Sequence, residues 1–414
     1  MDLSCPIDPI YLAGFATKCI MPSQVSKFTP ESFHLLDSYA SHRDTLVEIA
    51  CKERSSPCYY GNEEDRQSVE LKFGDFVDYY QATFNKQTHW LQTVDDLEFY
   101  LAQCPIAMPQ SDDTCTKAIL PAIMHDICVP ECLHKKPVTQ VNLWMTVLPG
   151  RTTLHYDAYH NIVVVLYGRK TITLYPPSDT AKVYPYPVHT KSVNHSQVNT
   201  SQPDLEKHAR FVNASAQQFA VVAGDALVIP EGWWHMVDSD KFTIAINYWW
   251  NGVREQLVAD KRMVPYYARV MLEELVKQQC EARLLAFRSS SRVGIVANFE
   301  DADQVAAAYL ASKDQGYREQ VLLSLERNIF VKTQRFLAVN NVIEWRKLLV
   351  NASVDLAAAL VECWESVDIE PDTLGELFGA LEDEEVESLK KLIAAKQAQF
   401  RRECAADMYQ SLFG

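Results

Sequence analysis

The pattern of apolar and polar positions divides the chain into three stretches. Between residues 138 and 252, short segments rich in β-branched and aromatic residues are bounded by Gly or Pro: VTQVNLWMTVLPG, NIVVVLYG, KTITLYPP, QQFAVVAGDALVIP and FTIAINYWW. These are strand signals, and several short strands without helices between them predict a sandwich or jelly roll. Upstream, DFVDYYQATF and VDDLEFYLAQCPI space their apolar residues as helices do, and SSPCYYGNEE carries turn residues and reads as a connection. Downstream, VPYYARVMLEELVKQQCEARLLAF is long and amphipathic. TLGELFGALEDEEVESLKKLIAAKQAQFRREC runs from early acids to late bases, as the helix dipole favours. The expected organisation is α+β. An N-terminal helical and loop region spans 1–115, a β domain 116–252, and a helical region 253–414 that caps the β domain or forms a homodimer interface.

Alternation within the strands singles out polar residues on apolar faces, because successive side chains of a strand point to opposite sides. In KTITLY, Lys170 shares a face with Ile172 and Leu174, which is costly unless an anion meets it. In TIAINYWW, Asn247 lies with Thr243, Ala245 and Trp249, while Ile244 and Ile246 fill the other face. Asn161 opens the face continued by Val163 and Val165. If these strands enclose one barrel, the polar groups converge on its interior.

His155 and Asp157 are two apart, so an extended backbone points both to one side. His235, in GDALVIPEGWWHMV, follows a strand and a Pro-Gly turn. Two histidines and one carboxylate make the facial triad of non-haem Fe(II) oxygenases, leaving adjacent positions for a chelating cosubstrate and O₂. Taken singly, each residue has a plainer reading: His235 as a satisfied core histidine, Asp157 as a turn cap. His160, His189, His195 and His208 lie nearby and receive no metal role.

Composition narrows the setting. With 414 residues, 48% of them apolar, the chain can bury one large core or two. A net charge of −15 weighs against general nucleic-acid binding. No run approaches the length of a membrane span, and MDLSCPIDPIYLAGFATKC lacks the basic start of a signal peptide. The 11 cysteines have no paired spacing, which fits reduced thiols in the cytoplasm or nucleus. The sequons at Asn194, Asn199, Asn213 and Asn351 then read as chance. MHDICVPECLH offers His125, Cys128, Cys132 and His134 to zinc, but its CxxxC step is looser than a zinc knuckle and Pro130 lies between the cysteines. Ordinary thiols are the preferred reading.

Taken together, VNLWMTVLPGRTTLHYDAYHNIVVVLYGRKTITLYPPSD, YPYPVH, NHSQV, GDALVIPEGWWHMV and IAINYWW resemble, in order and spacing, the JmjC/cupin-type 2-oxoglutarate oxygenases, in particular their hydroxylase branch. The resemblance covers about 138 to 252, with echoes upstream in SPCYYG and YLAQCPI. It implies a double-stranded β-helix, with Fe(II) held by His155, Asp157 and His235. It also implies 2-oxoglutarate whose distal carboxylate meets Lys170 and the Thr152 hydroxyl. Asn161 and Asn247 sit where the family places amides near the cosubstrate, and Trp144 where relatives set a residue against cosubstrate or substrate. Relatives often add an upstream tyrosine, for which Tyr100 is the candidate here. Around Asn194 and His195, where relatives contact substrate, no single known pattern is reproduced.

The implied activity consumes O₂ and 2-oxoglutarate, releases succinate and CO₂, and hydroxylates a protein side chain. The alternatives are a JmjC lysine demethylase, a tRNA-base hydroxylase and a scaffold without catalysis. Many demethylases carry glutamate at the position of Asp157, and no histone-reader module is recognisable. Both points favour hydroxylation. The acidic charge disfavours the tRNA reading, and the intact triad with Lys170 and Thr152 disfavours the scaffold.

Overall fold

A computed structural model of the chain describes residues 6–56, 58–59, 67–94, 96–108, 118–134, 136, 138–252, 258–294, 301–365 and 373–413. The expected boundaries at 115 and 253, and part of SSPCYYGNEE, lie outside these residues. Two compact units are present, residues 1–187 with 191–269, and residues 188–190 with 270–414.

The first unit is built on β1 (Ile10–Leu12), β2 (Leu46–Glu53), β3 (Gln67–Lys72), β4 (Leu97–Ala107), β5 (Val138–Thr146) and β6 (Gly150–His155). It continues with β7 (His160–Tyr167), β8 (Arg169–Tyr175), β9 (Gln217–Val222), β10 (Ala226–Ile229), β11 (Trp234–Ser239) and β12 (Thr243–Trp250). Among the described residues these strands form an eight-stranded sheet, β1-β10-β7-β12-β5-β4-β2-β3, facing a four-stranded sheet, β6-β11-β8-β9. The paired strands are antiparallel throughout, as the expected double-stranded β-helix requires.

The large sheet is covered on both faces, and this explains its nearly continuous apolar runs. Ile162, Val164, Ile244 and Ile246 point outward, into a core shared with Phe73, Phe76, Val77 and Tyr80 of α1 (Phe73–Phe84). Val163 and Val165 point inward and meet Ile172 and Leu174 of the small sheet. The segment QQFAVVAGDALVIP divides into β9 and β10 at Gly224, whose φ of 98° is the left-handed region that only glycine adopts without strain.

One expected helix is a strand. VDDLEFYLAQCPI forms β4, paired to β2 on one side and β5 on the other. Its apolar residues serve two faces: Phe99 and Leu101 enter the outer core, while Tyr100 and Ala102 pack with Ala50 and Tyr59. Burial on both faces gave apolar residues at helical as well as alternate spacing, and pairing between two strands decided for the extended form. Register shifts against β5 fall between Leu101 and Cys104, where Gln103 has a φ of 49°, and between Pro105 and Ala107.

The second unit is helical, as expected. It takes in the later part of the helix Val264–Gly294, followed by helices Ala302–Ala311, Gln315–Leu323, Arg327–Asn340, Val342–Asn351, Val354–Trp364, Thr373–Phe378 and Asp383–Phe413. Side chains of Asp301, Asp314 and Ser353 cap three of these, each accepting a backbone N–H of the first turn. The core centres on Tyr309, Trp345, Leu356, Leu360 and Phe400. Arg283 ties Asp355 to Glu403.

Candidate active site

The His-Asp-His triad assembles from register. His155 ends β6 and His235 sits near the start of β11, and the ladder pairs them directly. Asp157 follows two residues after His155, in the turn before β7. The His155 Nε2–Asp157 Oδ1 distance is 3.8 Å, the His235 Nε2–Asp157 Oδ2 distance 3.6 Å, and the imidazole centroids lie 4.3 Å apart. Among the described residues this is the one group whose ligand atoms converge, all within 4.8 Å of one another.

Both rings are locked in the orientation a metal needs. His155 Nδ1 lies 2.7 Å from Thr153 O, and His235 Nδ1 lies 3.0 Å from Trp233 O. A carbonyl only accepts, so each Nδ1 carries a proton, and in the neutral ring that leaves the Nε2 lone pair for the shared centre. Burial, with His155 as neighbour, pushes His235 down to about 4, so it is neutral at physiological pH, as a ligand must be. The donor set fits a divalent transition metal such as Fe(II).

The turn that delivers His235 depends on Gly232. Its φ is 76°, its N–H donates to Asp157 O at 3.0 Å, and a Cβ there would meet the Tyr266 ring at 2.8 Å. Tyr266 in turn donates to Glu231 Oε1 at 2.8 Å and packs edge-on against Tyr156. One glycine therefore fixes both the turn and its contact with the aspartate's backbone.

Lys170 is where alternation put it, on the interior face with Ile172 and Leu174 and only 3% exposed. Two lysines are buried among the described residues. Lys52 ends on a carboxylate, Glu98. Lys170 donates to Ser239 Oγ at 2.7 Å and stands 5.8 Å above the Tyr100 ring, and among the described residues it makes no ion pair. Burial pushes its ammonium down to about 7. A buried cation held by one hydroxyl is the expected form of a socket for a carboxylate. The upstream tyrosine candidate, Tyr100, thus borders Lys170, beside Tyr59 and Trp144.

Thr152 sits across β11 from Ile172, both registered on Val237. Its hydroxyl accepts from Val237 N at 3.2 Å. Asn161, Asn247 and Trp144 are brought together on the large sheet. Asn247 Nδ2 donates to Asn161 Oδ1 (3.0 Å), and Trp144 Nε1 donates to Asn247 Oδ1 (2.7 Å). His195 stacks on His155 at 5.3 Å, and Asn194 exchanges hydrogen bonds with the backbone of Tyr156. Of the zinc candidates, Cys128 and His134 instead bond to backbone: Cys128 Sγ reaches Lys18 O, and His134 Nε2 reaches Val129 O.

Four neighbours of these residues were missed. Asn142 Nδ2 donates to Asn247 Oδ1 at 3.1 Å, and Gln140 donates to Asn142. Both share the face of Trp144, so the alternation in VTQVNLW could have found them. Tyr59 and Ser239 carried no local signal. Their places depend on packing and on pairing with Lys170 across the sheet.

Comparison with known proteins places this geometry in a family. The chain belongs to the cupin-like domain family, whose model matches residues 6–256. It is similar to a protein of Arabidopsis thaliana named lysine-specific demethylase JMJ31, 32% identical over 267 residues, which is 61% of this chain and 48% of that one. It is similar to lysine-specific demethylase 8 of Danio rerio, 31% identical over 230 residues, 54% of this chain and 49% of that one. HSPB1-associated protein 1 of Homo sapiens is 36% identical over 110 residues, 26% of this chain and 22% of that one. The chain spans about half the length, or less, of these relatives.

Proposed function

We propose that the protein is an Fe(II)- and 2-oxoglutarate-dependent oxygenase that hydroxylates a protein side chain. The observation carrying this is Lys170, a buried cation with no carboxylate partner among the described residues, inside the same barrel as a converged His-Asp-His triad. His155, Asp157 and His235 would hold the metal. Lys170 and Thr152, with Tyr100 beside them, would hold the distal carboxylate. Asn161, Asn247 and Trp144 would line the remainder. Bound iron, 2-oxoglutarate and O₂ supply an oxidant, with succinate and CO₂ as by-products.

The chain's own residues do the positioning. The two Nδ1–H···O=C bonds hold both imidazoles ready, so no ligand reorganises when metal binds. The apolar interior around Val163, Ile172 and Leu174 keeps the socket dry, which strengthens the lysine–carboxylate pair. His195, stacked on His155, would border the metal.

The second reading, lysine demethylation, is favoured by the names of two relatives. It differs in outcome: hydroxylation of an N-methyl group releases formaldehyde. Incubating candidate peptides with the enzyme, Fe(II) and 2-oxoglutarate separates the two by mass. A gain of one oxygen supports side-chain hydroxylation, and loss of a methyl group with formaldehyde overturns it. The helical region is proposed as a homodimer interface, supported by exposed apolar residues such as Val339 and Ile343. We place the protein in the cytoplasm or nucleus, consistent with the absence of a disulfide among its described cysteines. No described helix is long and apolar enough to cross a membrane.

A further inference from the structure

Five side chains on β5, β12 and β7 form a directed chain of hydrogen bonds. Gln140 donates to Asn142, Asn142 to Asn247 (3.1 Å), and Asn247 to Asn161 (3.0 Å). Trp144 joins from the side, donating to the same Asn247 oxygen at 2.7 Å. Asn142, Asn247 and Asn161 are all buried, so none can trade these bonds for water.

An amide can be turned over, exchanging donor for acceptor, and an indole N–H cannot. Without the indole, the Gln140-to-Asn161 chain has equal numbers of hydrogen bonds in either direction. With it, only one direction leaves no donor facing a donor. Asn247 must present its oxygen toward Trp144, so its nitrogen faces Asn161. Asn161 must answer with its oxygen, which commits its own NH₂ to the far end of the chain. Asn161 lies on the rung of Trp249 and shares with Val163 and Val165 the face of β7 that meets the small sheet.

We infer that Trp144 is a positioning residue: its indole N–H sets the polarity of the amide chain and so presents Asn161 to the bound 2-oxoglutarate as a donor. This rests on the cosubstrate reading above. It departs from a simple contact role for Trp144, because the effect travels through Asn247 and Asn161.

The test is calorimetric titration of 2-oxoglutarate into the Mn(II)-loaded protein under nitrogen, where no turnover occurs. Trp144→Phe keeps the ring and removes the N–H. It is expected to weaken binding roughly two- to tenfold, since two polarities become equally populated and one hydrogen bond is lost. Asn161→Ala is expected to weaken binding about tenfold, and Trp144→Phe added to it should change nothing further. Asn142→Leu removes two hydrogen bonds but leaves the indole on Asn247, so it should bind like wild type. A purely structural role predicts the opposite order, with Asn142→Leu the worse. Wild-type affinity in Trp144→Phe, or a further loss in the Asn161→Ala background, overturns the inference. If Trp144→Phe does not fold, Asn142→Leu carries the test, and weakening equal to that of Asn161→Ala overturns it. Lys170→Met separates the two levels. If it binds like wild type, or wild type does not bind, the cosubstrate reading fails and this inference with it. If only Lys170→Met loses binding, the inference alone fails.

Discussion

Replacing Lys170 by Met keeps chain length and apolar packing and removes the charge, so it separates what the ammonium costs the empty fold from what it contributes to binding. Burial moves the ammonium from 10.5 to about 7. At 1.36 kcal/mol per unit, that is about 5 kcal/mol of strain on the folded state while the unfolded lysine is charged. The variant leaves Ser239 Oγ without its partner, at a cost of about 1–3 kcal/mol. The metal-free, cosubstrate-free variant should therefore be more stable than wild type by about 2–4 kcal/mol below pH 7, or several degrees in Tm. The sign follows from proton linkage. Between pH 7 and 10.5 the unfolded lysine binds a proton that the folded one does not, so wild-type stability rises with pH there. The difference in Tm should shrink from pH 7 upward and reverse at about pH 8–10. Binding moves the other way. Removing one side of a buried pair typically costs about 3–5 kcal/mol, on the order of 100-fold or more in 2-oxoglutarate affinity. Wild-type affinity should itself fall by up to about tenfold per pH unit above 7, because binding must first protonate the lysine. Calorimetry across pH 6–10 measures the stabilities, and titration of 2-oxoglutarate the affinities. A Tm difference that is constant with pH, or a variant that binds like wild type, refutes a buried, strained Lys170.

Three further outcomes are expected. His155→Ala, Asp157→Ala and His235→Ala should each abolish conversion of 2-oxoglutarate to succinate and lower Co(II) affinity at least tenfold, with circular dichroism unchanged. Full turnover by folded His235→Ala rules out the triad. Gly232→Ala forces a side chain into the left-handed region and against Tyr266, so it should cost at least about 1–2 kcal/mol in thermal unfolding and weaken metal binding by displacing His235. Unchanged metal affinity would show that the turn does not set the ligand. Light scattering at micromolar concentration should give twice the chain mass, and a monomer mass excludes the homodimer.

Much of the site could be read from the sequence because strand alternation is local. The spacing of His155 and Asp157, and of Lys170, Ile172 and Leu174, settles which side chains share a face whatever the strand pairs with. The apolar runs of β7 and β12 likewise read as strands. Register is a different quantity. A slip of one residue between β6 and β11 would turn His235 away from His155, and nothing within either strand prevents it. The same pairing across β11 and β8 chose Ser239 for Lys170, and β12 between β5 and β7 joined Asn142, Asn247 and Asn161 into one chain. VDDLEFYLAQCPI shows the limit most directly: its spacing suited a helix, and β2 and β5 on either side made it a strand. Sequence by itself determined which residues point inward. Only the tertiary structure decided which of them meet, because pairing energies act between segments distant along the chain.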